Sequence, residues 1–166
     1  KPVRLFRDQT FTISSSSRFK MHLECEYSTG GNTCALLEPN SGHAVPLSEA
    51  LAAITWNDAG LIPVIAQRHD SGEVLMMAWM NAQSIERTLE SGHVTYWSRS
   101  RQSFWAKGES SGHMQKLIEM RVDCDRDCLL MLVDQTGPAC HTNRRSCFYT
   151  AVQNGAEVIL TEPMAE

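Results

Sequence analysis

The stretch LIPVIAQRHDSGEVLMMAWM, residues 61–80, decides the fold class of this chain. It holds two runs rich in apolar and β-branched residues, 61–69 and 73–80, on either side of Asp70-Ser71-Gly72. Two such runs joined by a short turn that contains glycine predict a β-hairpin. The second run also contains three methionines, which are predicted to be core residues rather than a cofactor site: Met76, Met77 and Met80.

A short helix is predicted directly after this hairpin. Asn81 can cap its first turn, Gly92 can end it, and one face carries Ala82, Ile85 and Leu89. Further strands are predicted over 93–100, 114–125, 128–134 and 147–153. We therefore predict a β-rich α+β fold, with a small twisted, mixed or antiparallel sheet and one or two short helices.

The run Asp123-Cys124-Asp125-Arg126-Asp127-Cys128 places three carboxylates and two thiols in six residues. If this run extends the strand before it, the side chains alternate, so that the aspartates project to one face and the cysteines to the other. Carboxylate oxygens suit Mg²⁺ and thiolates suit Zn²⁺. The run therefore suggests two different metal sites on one strand.

A catalytic zinc usually has three protein ligands and one open position. Cys124, Cys140 and Cys147 could supply these three ligands, with His141 beside the metal. Gly137-Pro138 predicts a turn that returns Cys140 towards Cys124.

Simpler interpretations of these residues remain open at this point. Acidic runs are often solvated turns or calcium loops, although this one lacks the glycine and the distal glutamate of an EF-hand. Free cysteines are commonly inert buried residues. The spacing of Cys124, Cys140 and Cys147 is also not that of a standard zinc ribbon or finger.

Residues 96–115 combine cations, small hydroxyl side chains and glycines. Backbone N–H groups and arginine side chains of this kind can surround phosphate oxygens, and Trp97 and Trp105 could stack on a base. The formal net charge of the chain is −4, which counts against a nucleic-acid partner. Local positive charge in an acidic chain indicates a small phosphorylated substrate instead.

Together these blocks closely resemble the phosphoribosyl-AMP cyclohydrolase family. The matching blocks follow the family's order over about residues 57–152: 60–67, 74–81, 95–101, 105–115, the run that begins at Asp123, 140–142 and 146–148.

The resemblance implies specific roles for individual residues. It implies zinc binding by Cys124, Cys140 and Cys147, magnesium binding by three aspartates, and a catalytic role for His141. The aspartates are Asp123, Asp125 and Asp127. The candidates for binding the nucleotide substrate are Trp97, Arg99, Ser100, Arg101, Lys107, Gly108, Ser110, Ser111, His113, Arg144 and Arg145.

The resemblance also implies a reaction, which is the hydrolytic opening of the purine ring of phosphoribosyl-AMP at the N1–C6 bond, the third step of histidine biosynthesis. Zinc would activate the water, and magnesium would position a substrate phosphate. Relatives form intertwined homodimers in which Cys124 of one subunit would join Cys140 and Cys147 of the other.

Two other functions compete with this interpretation. A zinc deaminase would show H-x-E and a later P-C-x-x-C, and although His22-Leu23-Glu24 fits the first motif, residues 138–143 do not fit the second. A zinc-stabilised nucleotide-binding module without catalysis is the other alternative.

The chain of 166 residues divides by resemblance into an N-terminal extension of uncertain structure, residues 1–50, and a cyclohydrolase domain, residues 51–166. The extension could be a processed leader, a disordered arm or an extra hairpin. Six dispersed cysteines do not suggest a disulfide framework, so a reducing cytoplasm is predicted. No apolar run approaches the ~18 residues of a membrane span, and neither membrane nor nucleic acid is a predicted partner.

Overall fold

The computed structural model describes residues 44–165, so that most of the predicted N-terminal extension lies outside the described residues. Within this range, the chain forms two short helices and eight strands. They are α1 (Leu47–Ala52), β1 (Ile62–Arg68), β2 (Val74–Met80), α2 (Ala82–Ser91), β3 (Thr95–Ser98), β4 (Ser103–Ala106), β5 (Gln115–Val122), β6 (Leu129–Gln135), β7 (Thr150–Gln153) and β8 (Ala156–Ile159). Neither helix in this range is long and apolar enough to cross a membrane.

The main sheet has four strands in the order β2-β1-β6-β5. β1 pairs antiparallel with β2 and parallel with β6, and β5 pairs antiparallel with β6. β3–β4 and β7–β8 form separate two-stranded hairpins. The prediction of a β-rich fold with a mixed sheet and short helices is confirmed; β4, β8 and α1 were not predicted.

The core lies on one face of the main sheet. Cross-strand neighbours on this inner face are buried, as in the row Ala66, Met76 and Met131 and the adjacent residues Val64 and Leu129. α2 contributes Ile85, which is 1% exposed. Burial of these apolar side chains is the main favourable term that holds the sheet and the helix together.

The helix ends are those that the sequence predicts. The Asn81 side chain accepts a hydrogen bond from the backbone N–H of Ser84 at 2.8 Å, and the Ser84 hydroxyl in turn contacts the N–H of Asn81. Gly92 adopts a left-handed conformation with φ of 71° and donates its N–H to the carbonyl of Thr88. These caps satisfy backbone groups that a helix end otherwise leaves without partners.

The opposite, outer face of the sheet is also apolar. Ile65, Met77 and Leu130 are neighbours across three strands and are half-buried or exposed, with Met77 43% exposed. Met76 and Met80 are core residues as predicted. The prediction was wrong for Met77, because side chains alternate along β2 and this residue falls on the outer face.

The aspartate–cysteine run is a turn and not a strand. β5 ends at Val122, which pairs with Leu129, so residues 123–128 must reverse the chain direction between two antiparallel strands. Arg126 has a positive φ of 63°, and the Asp123 carboxylate accepts a hydrogen bond from the N–H of Cys128 at 3.1 Å. The predicted extended register of this run is therefore wrong.

Candidate metal and nucleotide site

Cys140 and Cys147 come together through a tight turn. The N–H of Cys140 donates to the carbonyl of Arg144 at 3.0 Å, and Asn143 has a positive φ of 60°. The N–H of Cys147 then donates to the carbonyl of Leu75 at 2.7 Å, which attaches the end of the turn to β2. The turn thus places two of the three predicted zinc ligands side by side.

The two thiols differ in their readiness to ionise. Burial acts to raise the pKa of Cys140, but hydrogen bonds from Thr142, whose hydroxyl lies 3.0 Å from the sulfur, and from Cys147 lower it overall. Burial of the Cys147 thiol, followed by the charge of Cys140, raises the pKa of Cys147 to about 11. The pair therefore carries one negative charge more readily than two. A cation bound between the sulfurs would stabilise the second negative charge.

The ammonium of Lys107 lies close enough to the two thiols to interact electrostatically with both of them. It donates a hydrogen bond of 2.6 Å to the carbonyl of Ala139, the residue before Cys140. Burial lowers the pKa of Lys107, and the charges of Cys147 and Cys140 oppose this shift. A half-buried ammonium beside two thiols supplies the positive charge that an anionic metal site needs.

Two glycines fix the path of the loop of residues 107–113: Gly108 lets the loop close on itself, and Gly137 lets His113 pack against the segment that precedes the cysteine turn. A Cβ on Gly108 would lie 2.5 Å from the carbonyl carbon of His113, and a Cβ on Gly137 would lie 2.6 Å from the His113 imidazole. Both glycines also have positive φ. Of the other candidates in this loop, Ser111 accepts a hydrogen bond from the N–H of His113 through its hydroxyl, and Ser110 is exposed.

The predicted catalytic and cationic residues of the turn have different surroundings. His141 is exposed, and its Nδ1 lies 4.0 Å from the sulfur of Cys140. The Arg144 guanidinium stacks on the ring of Tyr149 at 4.2 Å, whereas Arg145 pairs with Glu73 at 3.0 Å. Arg145 also lines a cleft of about 370 Å³ that includes Arg68, Asp70, Ser71, Glu73, Leu75, Gln135, Gly137 and Met164.

The three aspartates converge even though their backbone is a turn. One carboxylate oxygen from each of Asp123, Asp125 and Asp127 lies within 4.8 Å of the others, and all three residues are exposed. The negative charge of Asp125 raises the pKa of Asp127, which shows how closely the carboxylates approach. Slight burial acts to raise the pKa of Asp123, but the N–H of Cys128 and the neighbouring aspartates lower it overall.

Cys124 does not join the other two cysteines within this chain. It lies in the turn before β6, whereas Cys140 follows the end of β6 and Cys147 is bonded to Leu75 at that same end. β6 spans seven residues, a length of roughly 20 Å. The prediction that Gly137-Pro138 returns Cys140 towards Cys124 is wrong for a single chain. After this turn the chain hydrogen-bonds to the start of β2, through Cys147 and Leu75, and does not return to the aspartate run.

The remaining nucleotide candidates lie at the far end of the β3–β4 hairpin. Trp97 packs edge-on against Phe104 with ring centroids 5.0 Å apart, and Arg99 lies over the ring of Trp79 at 4.7 Å. Ser100 and Arg101 are exposed in the turn that connects β3 to β4. Thr95 pairs with Ala106 and Ser98 with Ser103, so the length of the hairpin separates this group from Lys107.

Sequence reasoning assigned no role to Gln115 and Gln135, which are buried and hydrogen-bonded to each other at 2.9 Å. They lie on different strands, 20 residues apart. The sequence carried no clear signal for this pair, because each glutamine lies at the end of a strand next to a charged residue, Lys116 or Asp134.

The chain is similar to known proteins of one family. The family model described as phosphoribosyl-AMP cyclohydrolase matches residues 76–149, which include the aspartate run and both cysteines of the turn. The protein named phosphoribosyl-AMP cyclohydrolase from Paracoccus denitrificans (strain Pd 1222) is 72% identical over 112 residues, which cover 68% of this chain and 93% of that protein.

Proteins with the same name show similar likeness in two further bacteria. The one from Dinoroseobacter shibae is 72% identical and the one from Cereibacter sphaeroides (strain ATCC 17025 / ATH 2.4.3) is 68% identical, each over 113 residues that cover 68% of this chain and 95% of the relative. These matches confirm the predicted resemblance and the prediction that the chain is an enzyme, a hydrolase. The chain belongs to the phosphoribosyl-AMP cyclohydrolase family.

Proposed function

We propose that this chain opens the purine ring of phosphoribosyl-AMP by hydrolysis at the N1–C6 bond, in histidine biosynthesis. One observation carries the proposal: Cys140 and Cys147 lie together beside Lys107 in a chain that is 72% identical to a protein of that name. A cytoplasmic location is part of the proposal, because the four described cysteines are free thiols.

The reaction adds the oxygen of water to C6, breaks the N1–C6 bond and returns a proton to N1. Zinc, when bound, would supply Lewis-acid activation of the water. His141, whose Nδ1 lies 4.0 Å from the sulfur of Cys140, would take the proton of the water and return it to the leaving nitrogen. The Lys107 ammonium would balance the charge of the thiolates and hold the loop that faces the substrate.

The nucleotide candidates suit the two ends of a substrate with two phosphates. Lys107, Gly108 and Ser110 offer a cation, a close backbone and a hydroxyl near the cysteine turn. Arg99 and Arg101 offer exposed positive charge at the other end of the β3–β4 hairpin, next to Trp97. We propose that these two groups of residues bind different parts of the substrate, so that one phosphate lies apart from the base.

The aspartate turn fits a magnesium ion. Three exposed carboxylate oxygens within 4.8 Å of one another can meet a single cation with bonds of about 2.1 Å after small side-chain rotations. Magnesium, when bound, would supply positive charge for a substrate phosphate. Thr55 holds the turn in place, because its N–H donates to the carbonyl of Arg126 at 2.8 Å.

Replacing Asp125 with asparagine is expected to raise the magnesium concentration needed for half-maximal activity by roughly 10- to 100-fold, because the site loses one anionic ligand. Zinc content should not change. Titrating activity with magnesium measures the effect, and Asp134→Asn, an exposed aspartate on β6, is the matched control. An unchanged magnesium requirement in Asp125→Asn would count against the site.

We propose that a homodimer completes the zinc site. Cys124 lies at one end of the main sheet, and Cys140 and Cys147 lie at the other. If the outer faces of two copies pack together around a two-fold axis perpendicular to the strands, Cys124 of each copy approaches the cysteine pair of the other. The apolar outer face, with Ile65 and Met77, suits such a contact.

The β7–β8 hairpin supports the same proposal. Its strands have four residues each, too few for an isolated hairpin to be stable in water. Its apolar side chains are exposed, with Val152 84% and Ile159 59% accessible. A second copy that covers this hairpin would give the intertwined dimer that the family resemblance implies.

Subunit mixing tests the shared site directly. Cys124→Ser and Cys140→Ser should each be inactive alone, but their co-expression in equal amounts should restore about a quarter of wild-type activity, because half of the dimers contain one complete site of two. Co-expressed Cys140→Ser and Cys147→Ser are the control and should stay inactive, since every site then lacks a ligand. No recovery in the first pair would contradict a site shared between subunits.

The ultraviolet change on mixing the protein with phosphoribosyl-AMP tests the function itself. Ring opening should produce a spectral change that requires magnesium and that a zinc chelator abolishes. If a zinc-loaded dimer supplied with magnesium binds the nucleotide without a spectral change, the chain is a nucleotide-binding module instead.

A further inference from the structure

Three polar side chains form a continuous hydrogen-bonded series in the core. The Tyr96 hydroxyl donates to Oε1 of Gln115 at 2.7 Å, and Nε2 of Gln115 donates to Oε1 of Gln135 at 2.9 Å. Nε2 of Gln135 then donates to the carbonyl of Thr136 at 2.7 Å and lies 3.5 Å from the carbonyl of His113. Tyr96 and Gln115 are fully buried, and Gln135 is 4% exposed.

Such a series has a direction that is set by its last acceptors. The carbonyls of Thr136 and His113 can only accept, so the Gln135 amide turns its nitrogen towards them and its oxygen towards Gln115. Gln115 then donates with its nitrogen to Gln135, so its oxygen accepts from the Tyr96 hydroxyl. Each amide orientation depends on that of its neighbour, and an unpaired buried amide is costly.

The series ends where the loop of residues 107–113 meets the segment that precedes the cysteine turn. The backbone of His113 lies against Gly108, and its imidazole lies against Gly137. The N–H of Thr136 also donates to the carbonyl of Met114 at 2.9 Å. A shift of the His113 carbonyl would therefore move the loop that carries Lys107 relative to the turn that carries Cys140.

We propose that Gln115 is a positioning residue for substrate binding: with Tyr96 it fixes the position of Gln135, which holds the loop of residues 107–113 against the cysteine turn. The proposal rests on the proposed function of this site. Gln115 is 0% exposed and cannot touch a nucleotide, so any effect of its replacement on binding must act through Gln135 and the loop.

Gln115→Met keeps the length of the side chain but removes both hydrogen bonds. We expect KM for phosphoribosyl-AMP to rise about tenfold, because the loop loses its fixed position, while kcat changes less than about threefold and zinc content stays the same. Thr88→Val is the matched control: Thr88 is also fully buried, and its hydroxyl hydrogen-bonds to Ser84 within α2 and to Thr95 of β3, away from Gln135. It should lower Tm without changing KM.

Amide hydrogen exchange gives a readout that does not depend on catalysis. The amides of residues 108–114 should exchange at least about tenfold faster in Gln115→Met, but not in Thr88→Val. This difference would support the positioning role even if the wild-type protein did not convert phosphoribosyl-AMP, an outcome that would overturn the proposed function alone.

Unchanged KM and loop exchange in a folded Gln115→Met protein would overturn the positioning role and leave a purely structural one, and a loss confined to kcat would overturn it too. If Gln115→Met does not fold, Tyr96→Phe removes only the first hydrogen bond of the series and should produce the same changes to a smaller extent. An effect on Tm without one on KM in that variant would likewise overturn the role.

Discussion

Replacing Cys140 with serine is expected to remove zinc from the protein and to lower kcat/KM by at least about 100-fold. Cys140 has the thiol whose pKa lies below its ordinary value, because Thr142, Cys147 and Arg144 outweigh the effect of burial. It is therefore the sulfur best prepared to bind a cation as a thiolate. A serine hydroxyl has a similar shape but does not ionise near neutral pH.

The measurement is the zinc content of the purified variant together with its steady-state kinetics. Cys128→Ser is the matched control, because this half-buried cysteine follows the aspartate run and contacts only the carbonyl of Leu129 through its sulfur, at 3.7 Å. It should keep both zinc and activity. A Cys140→Ser protein with full activity and no zinc would contradict the zinc assignment.

Replacing His141 with asparagine is expected to lower kcat by about 10²- to 10⁴-fold while zinc stays bound, because a positioned proton donor and acceptor is lost. His141 is exposed and contacts the sulfur of Cys140 only at 4.0 Å. The residue can therefore be changed without breaking the turn that places Cys140 beside Cys147.

The His141→Asn variant also separates catalysis from metal-stabilised binding. A single-turnover measurement of the ultraviolet change, with zinc content determined on the same sample, distinguishes a slow chemical step from a lost metal. His69→Asn, an exposed histidine on the β1–β2 connection, controls for the loss of an imidazole elsewhere. If His141→Asn retained wild-type kcat, the proton transfer would belong to another group.

The local elements follow from nearby residues. The hairpin of β1 and β2, the helix between Asn81 and Gly92 and the strands β5 and β6 lie where the patterns predict them, because a cap, a turn or an alternation involves residues only a few positions apart. The aspartates also converge as predicted, although the reason given was wrong. A turn gathers Asp123, Asp125 and Asp127, where alternation along a strand was expected.

Contacts between residues that are far apart in the sequence could be determined only from the tertiary structure. The parallel pairing of β1 with β6 brings together Val64 and Leu129, and no local pattern specifies that pairing. This sheet order puts Cys124 and Cys140 at opposite ends of β6, contrary to the prediction for one chain. The tertiary structure also brings Lys107, which follows the separate β3–β4 hairpin, close to the two thiols.

The family resemblance and the candidate metal ligands were thus accessible from short blocks of residues, since ligand chemistry depends on residue type. Strand order and the faces that the sheet buries determine which of these residues lie close together, and whether one chain or two supply them. Tyr96, Gln115 and Gln135 illustrate the same limit: their series joins three strands, and it exists only because packing buries all three side chains together. Burial makes each amide require a partner, and only the tertiary structure determines which partner is within reach.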